Sequence, residues 1–212
     1  MRIALSFLLL LSHATLASAG VIELGDQDFM DGSLVNLDEF NSRSFGENAP
    51  FNGFIASDLG GPAFSATFTF QFDPTQVHSA DLTLGLFDHD SAAAGSQVAS
   101  FTLGGFDLTD LLDVQLEQRG GSQIEYNVYS IQIPFQFFAE LEDGTATFSL
   151  TLQPPGLGGN PPNGFELLPG NGAGLDFARL RVNVPEPENT ALFALAALSL
   201  MAAARHVRRR HG

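Results

Sequence analysis

From Phe64 to Phe72 the chain reads FSATFTFQF, with Phe64, Ala66, Phe68, Phe70 and Phe72 at odd steps and Ser65, Thr67, Thr69 and Gln71 between them. A strand turns successive side chains to opposite faces, so this stretch predicts a half-buried antiparallel strand with one phenylalanine face and one hydroxyl face. Asp73-Pro74-Thr75 supplies a turn. Ala80, Leu82, Leu84 and Leu86 repeat the pattern, and Ala99, Phe101 and Leu103 repeat it again up to Gly104-Gly105. Ala146, Phe148, Leu150 and Leu152 make a further such strand, and Ala178, Leu180, Val182 and Val184 the last.

Residues 123–133 have strand composition with both faces apolar: Ile124, Tyr126 and Val128 oppose Tyr129, Ile131 and Ile133. Such a strand belongs in a sheet centre or a subunit contact. Residues 135–142 (FQFFAELE) fit a short helical turn. Residues 153–174 hold seven Gly and five Pro, which predicts a long loop, and residues 41–62 form a second irregular stretch carrying Phe45, Phe51 and Phe54. These strands, 18 Phe between Gly20 and Pro187, and the absence of a fixed short repeat predict an all-β fold. The expected architecture is an antiparallel β-sandwich of jelly-roll type, with a parallel solenoid as the disfavoured alternative.

All 24 Asp and Glu fall between Glu23 and Glu188, opposed there only by Arg43, Arg119, Arg179 and Arg181, so the stretch carries 4 − 24 = −20. Such a surface repels phosphate backbones, and no nucleic-acid partner is expected. Cysteine is absent, which removes thiol catalysis and disulfide support.

The two ends are addresses rather than fold. Met1 and Arg2 precede an apolar run from Ile3 to Leu11, and Ala17-Ser18-Ala19 precedes Gly20, the pattern of a secretory signal peptide cut by signal peptidase after Ala19. At the other end, Val184-Pro185-Glu186-Pro187 is followed by an uncharged stretch, 190–204, and by Arg205, Arg208, Arg209 and Arg210. An apolar run closed by arginines is the order of a segment halted in a membrane. Fifteen residues at about 1.5 Å each reach only about 22 Å, short of a bilayer core of about 30 Å. Together these features resemble the PEP-CTERM sorting signal of exported proteins of Gram-negative bacteria. That class of tail is also labelled after ice-binding proteins that carry it, which by itself implies nothing about ice. The resemblance implies a sorting motif at Pro185, Glu186 and Pro187, a single C-terminal membrane helix over 190–204, a cytoplasmic stop at the arginines, and processing by an exosortase after transient contact with the inner membrane. The expected organisation is therefore a signal peptide (1–19), a β-sandwich domain (20–184) and a sorting signal (185–212).

Candidate chemistry is sparse. Asp88-His89-Asp90 closes a predicted strand, and Asp88 and Asp90 are the candidate pair for a structural Ca²⁺, which would need Asp107, Asp110 or Asp176 to converge with them. The alternative is a solvated turn whose carboxylates accept nearby N–H groups. No other cofactor is expected. His78 and His89 are the only histidines between the two end segments, too few for a three-histidine zinc site. Asp113, Glu117 and Glu125 could supply a glycosidase pair, one choice among many acids. The expected function is non-enzymatic: an exported structural or adhesive protein at the cell surface or in the extracellular, biofilm-like polymer matrix, partnered with polysaccharide. A Ca²⁺-dependent glycan-binding module and a carbohydrate-active hydrolase are the two rivals.

Overall fold

The protein's structure, a computed structural model, describes residues 20–74, 76–89, 96–119, 124–158 and 166–184. Strands β1 (Gly20–Gly25), β2 (Ser33–Leu34), β3 (Phe54–Ile55), β5 (Ser79–Phe87), β8 (Glu125–Gln132) and β12 (Ala173–Asn183) make the larger sheet, ordered β1-β12-β5-β8-β2 with β3 on β12. Strands β4 (Ser65–Gln71), β6 (Val98–Leu103), β7 (Phe106–Asp107) and β9 (Thr145–Leu152) make the smaller one, ordered β4-β9-β6-β7. All of these pairings are antiparallel. Strands β10 (Gly156–Gly158) and β11 (Glu166–Leu168) pair within the stretch expected to be a plain loop, and β12 begins at Ala173, inside that stretch.

The alternation places the core. Phe64, Phe68, Phe70, Phe101, Phe148 and Leu150 from the smaller sheet meet Leu82, Leu84, Leu86, Ile131 and Leu180 from the larger one in one buried cluster. Phe148 stacks on Phe68 and Phe101 and meets Phe70 edge-on, so four rings tie β4, β9 and β6 together.

The all-β sandwich of jelly-roll type is overturned. Helices α1 (Leu37–Arg43) and α2 (Thr109–Arg119) and a 3-10 helix (Phe135–Glu140) make this a mixed α/β domain with two open sheets, neither closed into a barrel. Helix α1 starts because the Asn36 side chain accepts the Glu39 N–H at 2.9 Å, satisfying one of the first-turn donors, and it buries only Phe40. Helix α2 carries the chain from the smaller sheet to the larger and packs through Leu112 and Leu116, four residues apart on one face. The third helix falls where a helical turn was expected, over 135–142. The predicted membrane helix, 190–204, lies outside the described residues, and no helix among those described is long and apolar enough to cross a membrane.

A second aromatic cluster covers the outer face of the larger sheet at one end. Phe87, Tyr126 and Phe177 project from β5, β8 and β12 and are roofed by Phe29, Val35 and Phe40. This is why residues 124–133 are apolar on both sides: Tyr126 belongs to the second cluster, Tyr129 and Ile131 to the first. Gly85 makes the roof fit, since a Cβ there would overlap the Tyr126 hydroxyl and the Phe177 ring.

Candidate functional site

Two regions gather polar side chains. The first is the outer face of the smaller sheet. Pairing of Phe64 with Leu152 and of Phe72 with Gly144 through backbone N–H groups puts the phenylalanines of β4 at hydrogen-bonded positions. The Ser/Thr residues therefore take the closer, non-hydrogen-bonded positions, where side chains meet. Accordingly Ser65 and Thr151 hydroxyls are 3.1 Å apart, Thr67 and Ser149 2.9 Å, and Thr69 and Thr147 2.9 Å. The register continues from Thr151 to Ser100, from Ser149 to Thr102, and from Gln71 to Thr145. Asp107, opposite Thr102, puts an acidic edge on this grid. Its pitch is about 6.8 Å along the strands and about 4.8 Å across them. Each hydroxyl both donates and accepts, so a pair that shares one proton keeps acceptor and donor capacity toward a ligand.

The second region is buried. A bulge in β12 between Leu175 and Phe177 turns Asp176 onto the covered outer face of the larger sheet. Its Oδ2 accepts the Tyr126 hydroxyl at 2.7 Å and the Asp28 N–H at 3.1 Å. Burial pushes the Asp176 carboxyl up to about 6, with the Tyr126 bond pulling the other way. Burial also raises Tyr126 far above its ordinary value, so it is a phenol donor at any physiological pH. Asp28 is raised by burial and by Asp26 beside it, against Arg43; Glu47 is raised by burial and by its hydrogen bond to Asp26. These acids crowd with Arg43 beside Asp28, yet no three His, Asp or Glu of the described residues come together as a metal-holding group.

The sequence candidates scatter. Asp88 is buried at the end of β5 with φ +53°, its N–H on the Glu125 carbonyl at 3.1 Å, while Asp90 lies outside the described residues. Asp107 is exposed and held below the usual carboxylate range by the Thr109 hydroxyl and N–H; Asp110 is exposed on α2, and Asp176 sits in the second cluster. His89 is fully buried, its Nε2 hydrogen-bonded with the Tyr129 hydroxyl at 2.7 Å. Burial pushes it down to about 4, so the ring is neutral at pH 7. His78 is exposed before the opposite end of β5. Asp113 is committed to structure: its Oδ1 accepts the Gln97 and Val98 N–H groups at 2.7 and 3.0 Å and the Ser96 hydroxyl at 3.1 Å. Glu117 is exposed on α2 and Glu125 opens β8. Gly20 is the first residue of β1, and Val184 follows β12. Ala17, Ala19, Pro185, Glu186, Pro187, Arg205, Arg208, Arg209 and Arg210 lie outside the described residues.

Sequence reasoning found the hydroxyls of β4 but not their partners, which needed the register with β9 and β6. It missed the Asp176–Tyr126 pair, whose members are 50 residues apart. The one available signal was the two-sided strand, which required a second covered face.

The fold and these two regions define a mixed α/β domain with a neutral hydroxyl face and a buried carboxyl. No family model and no curated protein matches the chain. Among solved structures it is similar to the ANX2 ectodomain from Arabidopsis thaliana, with 12% identity and a TM-score of 0.31 over 83% of this chain. The match spans 45% of that ectodomain's length, and a likeness this loose transfers neither fold nor function.

Proposed function

We propose that the chain is an exported, non-enzymatic protein of the cell envelope or extracellular matrix that lays the hydroxyl face of its smaller sheet against a neutral polysaccharide. One observation carries this reading. In a stretch of net charge −20, the outer face formed by β4, β9 and β6 is an uncharged set of Ser, Thr and Gln, with Ala99 at the β6 bulge and Asp107 at its border. Hydroxyls in register offer a flat repeating set of donors and acceptors to sugar hydroxyls, with no charged group on the face to be desolvated on contact. The delivery route rests on the resemblance of the two ends: signal peptidase after Ala19, then an exosortase at Pro185-Glu186-Pro187.

Co-sedimentation with insoluble neutral glucans and chitin tests the first half. The protein should pellet with at least one polymer, and a Thr67→Asp/Thr147→Asp variant should stay in the supernatant; equal pelleting of both would sink the reading. Mass spectrometry of the surface form tests the second. A mature N-terminus at Gly20 without the Arg205–Arg210 peptide is expected, and an intact arginine tail at the surface would refute processing.

A further inference from the structure

We propose that the free edge of β4 pairs antiparallel with β4 of a second copy, joining two smaller sheets into one eight-stranded sheet with a continuous hydroxyl face. Strand β4 ends its sheet and pairs only with β9. Because Phe64 and Phe72 mark the hydrogen-bonded positions toward β9, the N–H and C=O groups of Ser65, Thr67, Thr69 and Gln71 point away from it. Among the described residues no backbone group answers them.

Exposed edges are normally blunted by shortness, charge, proline or a bulge. The other edges show these devices: β2 and β7 have two residues each, and β1 carries Glu23 paired with Arg179. Strand β4 has seven residues, SATFTFQ, with no charge and no proline, and its register runs from Ser65 to Gln71 without a bulge. It offers about 24 Å of straight edge whose backbone groups no described strand pairs.

A second copy is the occupant this edge fits. Antiparallel pairing of a strand with itself is two-fold symmetric, the commonest symmetry of homo-oligomers. Centred on Phe68, it sets Thr67 against Thr69, Ser65 against Gln71, and small Ala66 against large Phe70. Like meets like in polarity, bulk is complementary, and no acid faces an acid in a chain otherwise crowded with them. Four facing pairs give about eight inter-chain hydrogen bonds.

The test uses the purified full chain in sedimentation equilibrium from about 1 to about 300 μM at about 0.15 M salt, where long-range repulsion is screened. A rise to twice the monomer mass is expected. Thr67→Pro removes an outward N–H that β9 does not use, a change edge strands accept. It should hold the chain monomeric with a melting midpoint within a few degrees of the parent. Thr147→Lys, on the central β9, should leave the dimer intact while weakening polymer pelleting, so this inference and the polysaccharide reading fail separately. Register is read by cysteine pairs in the cysteine-free chain: mixed Thr67→Cys and Thr69→Cys chains should cross-link, their Cα atoms facing at about 5.5 Å, and either alone should not. A monomer at every concentration, a dimer that survives Thr67→Pro, or cross-linking no greater in the mixture than alone overturns the proposal.

Discussion

The outer faces of the two sheets began from the same rule and ended differently. On β4 and β9 of the smaller sheet the rule of alternation runs unbroken, with apolar side chains inward and hydroxyls outward. On the larger sheet the outer face is split. At one end it is open and charged, with Arg181 opposite Asp81 and Arg179 paired with Glu23; at the other it is roofed by the segment containing α1. The roof is fastened by aromatic packing and by its few cations: Arg43 lies 5.0 Å above Phe29 and Arg179 5.1 Å from the Phe177 ring centre. A face left to solvent can stay simple. A face that is to be covered from within must spend aromatics, a bulge and a glycine to become coverable.

The contrast can be broken hardest where both sheets depend on one ring. Phe148→Ala, at the centre of four stacked rings, should cost about 3–5 kcal/mol, read as a lowered denaturant midpoint. Next comes the roof. Gly85→Ala drives a Cβ into Tyr126 and Phe177 and should cost about 1–3 kcal/mol, whereas the same change at exposed Gly20, where a Cβ meets nothing closer than 3.9 Å, should be far milder.

A third test separates two buried ionisable groups that titrate in opposite senses. Asp176 has its carboxyl raised in the fold, so its stabilising share is complete below about pH 3.8 and is lost as pH rises through about 6. His89 is depressed, so its share is present above about 6.5 and is lost as pH falls through about 4. Each is worth on the order of 3 kcal/mol, and in the parent they largely cancel between pH 4 and 6.5. Asp176→Asn should expose the histidine, giving a melting midpoint that falls on acidification. His89→Gln should expose the carboxyl, giving one that falls as the medium turns alkaline. Parallel pH profiles for the two variants would contradict this assignment.

The smallest effect belongs to the open face. Thr67→Ala removes one half of an exposed hydroxyl pair and should change stability by less than about 0.5 kcal/mol. A larger loss on thermal melting would mean that the hydroxyl ladder supports the sheet rather than merely coating it.

The same contrast explains what could be read in advance. Strands β4 and β9 were legible because each has one wetter face, and β5 and β12 because they alternate over the half that the roof leaves open, so the period of two survives in the residues. Helix α2 was not, because only Leu112 and Leu116 are buried within it, too thin a stripe to stand out from TDLLDVQLEQR. Ala99 was expected inward with Phe101, but a bulge between Val98 and Ser100 turns it to solvent. In the irregular stretch 41–62 Phe51 is buried while Phe45 is 88% exposed: composition could not tell them apart because tertiary cover decided it. Asp176 was a candidate only as a remote calcium ligand. Its observed place depends on a bulge and on a tyrosine half a hundred residues earlier, neither of which local pattern encodes.

The pairing of Gly20 with Val182 has a mechanical consequence. The first and last strands run antiparallel side by side, so the two ends of the folded chain leave from the same corner. Tension applied between those ends would peel β1 from β12 one rung at a time, across only six facing pairs. Tension applied to the β12 end against a load held on the smaller sheet must instead shear an eleven-residue strand from β5 and β1 together, loading the rungs in parallel rather than one by one. A domain laid out this way yields easily to a pull between its own ends and resists one between the end of β12 and the smaller sheet.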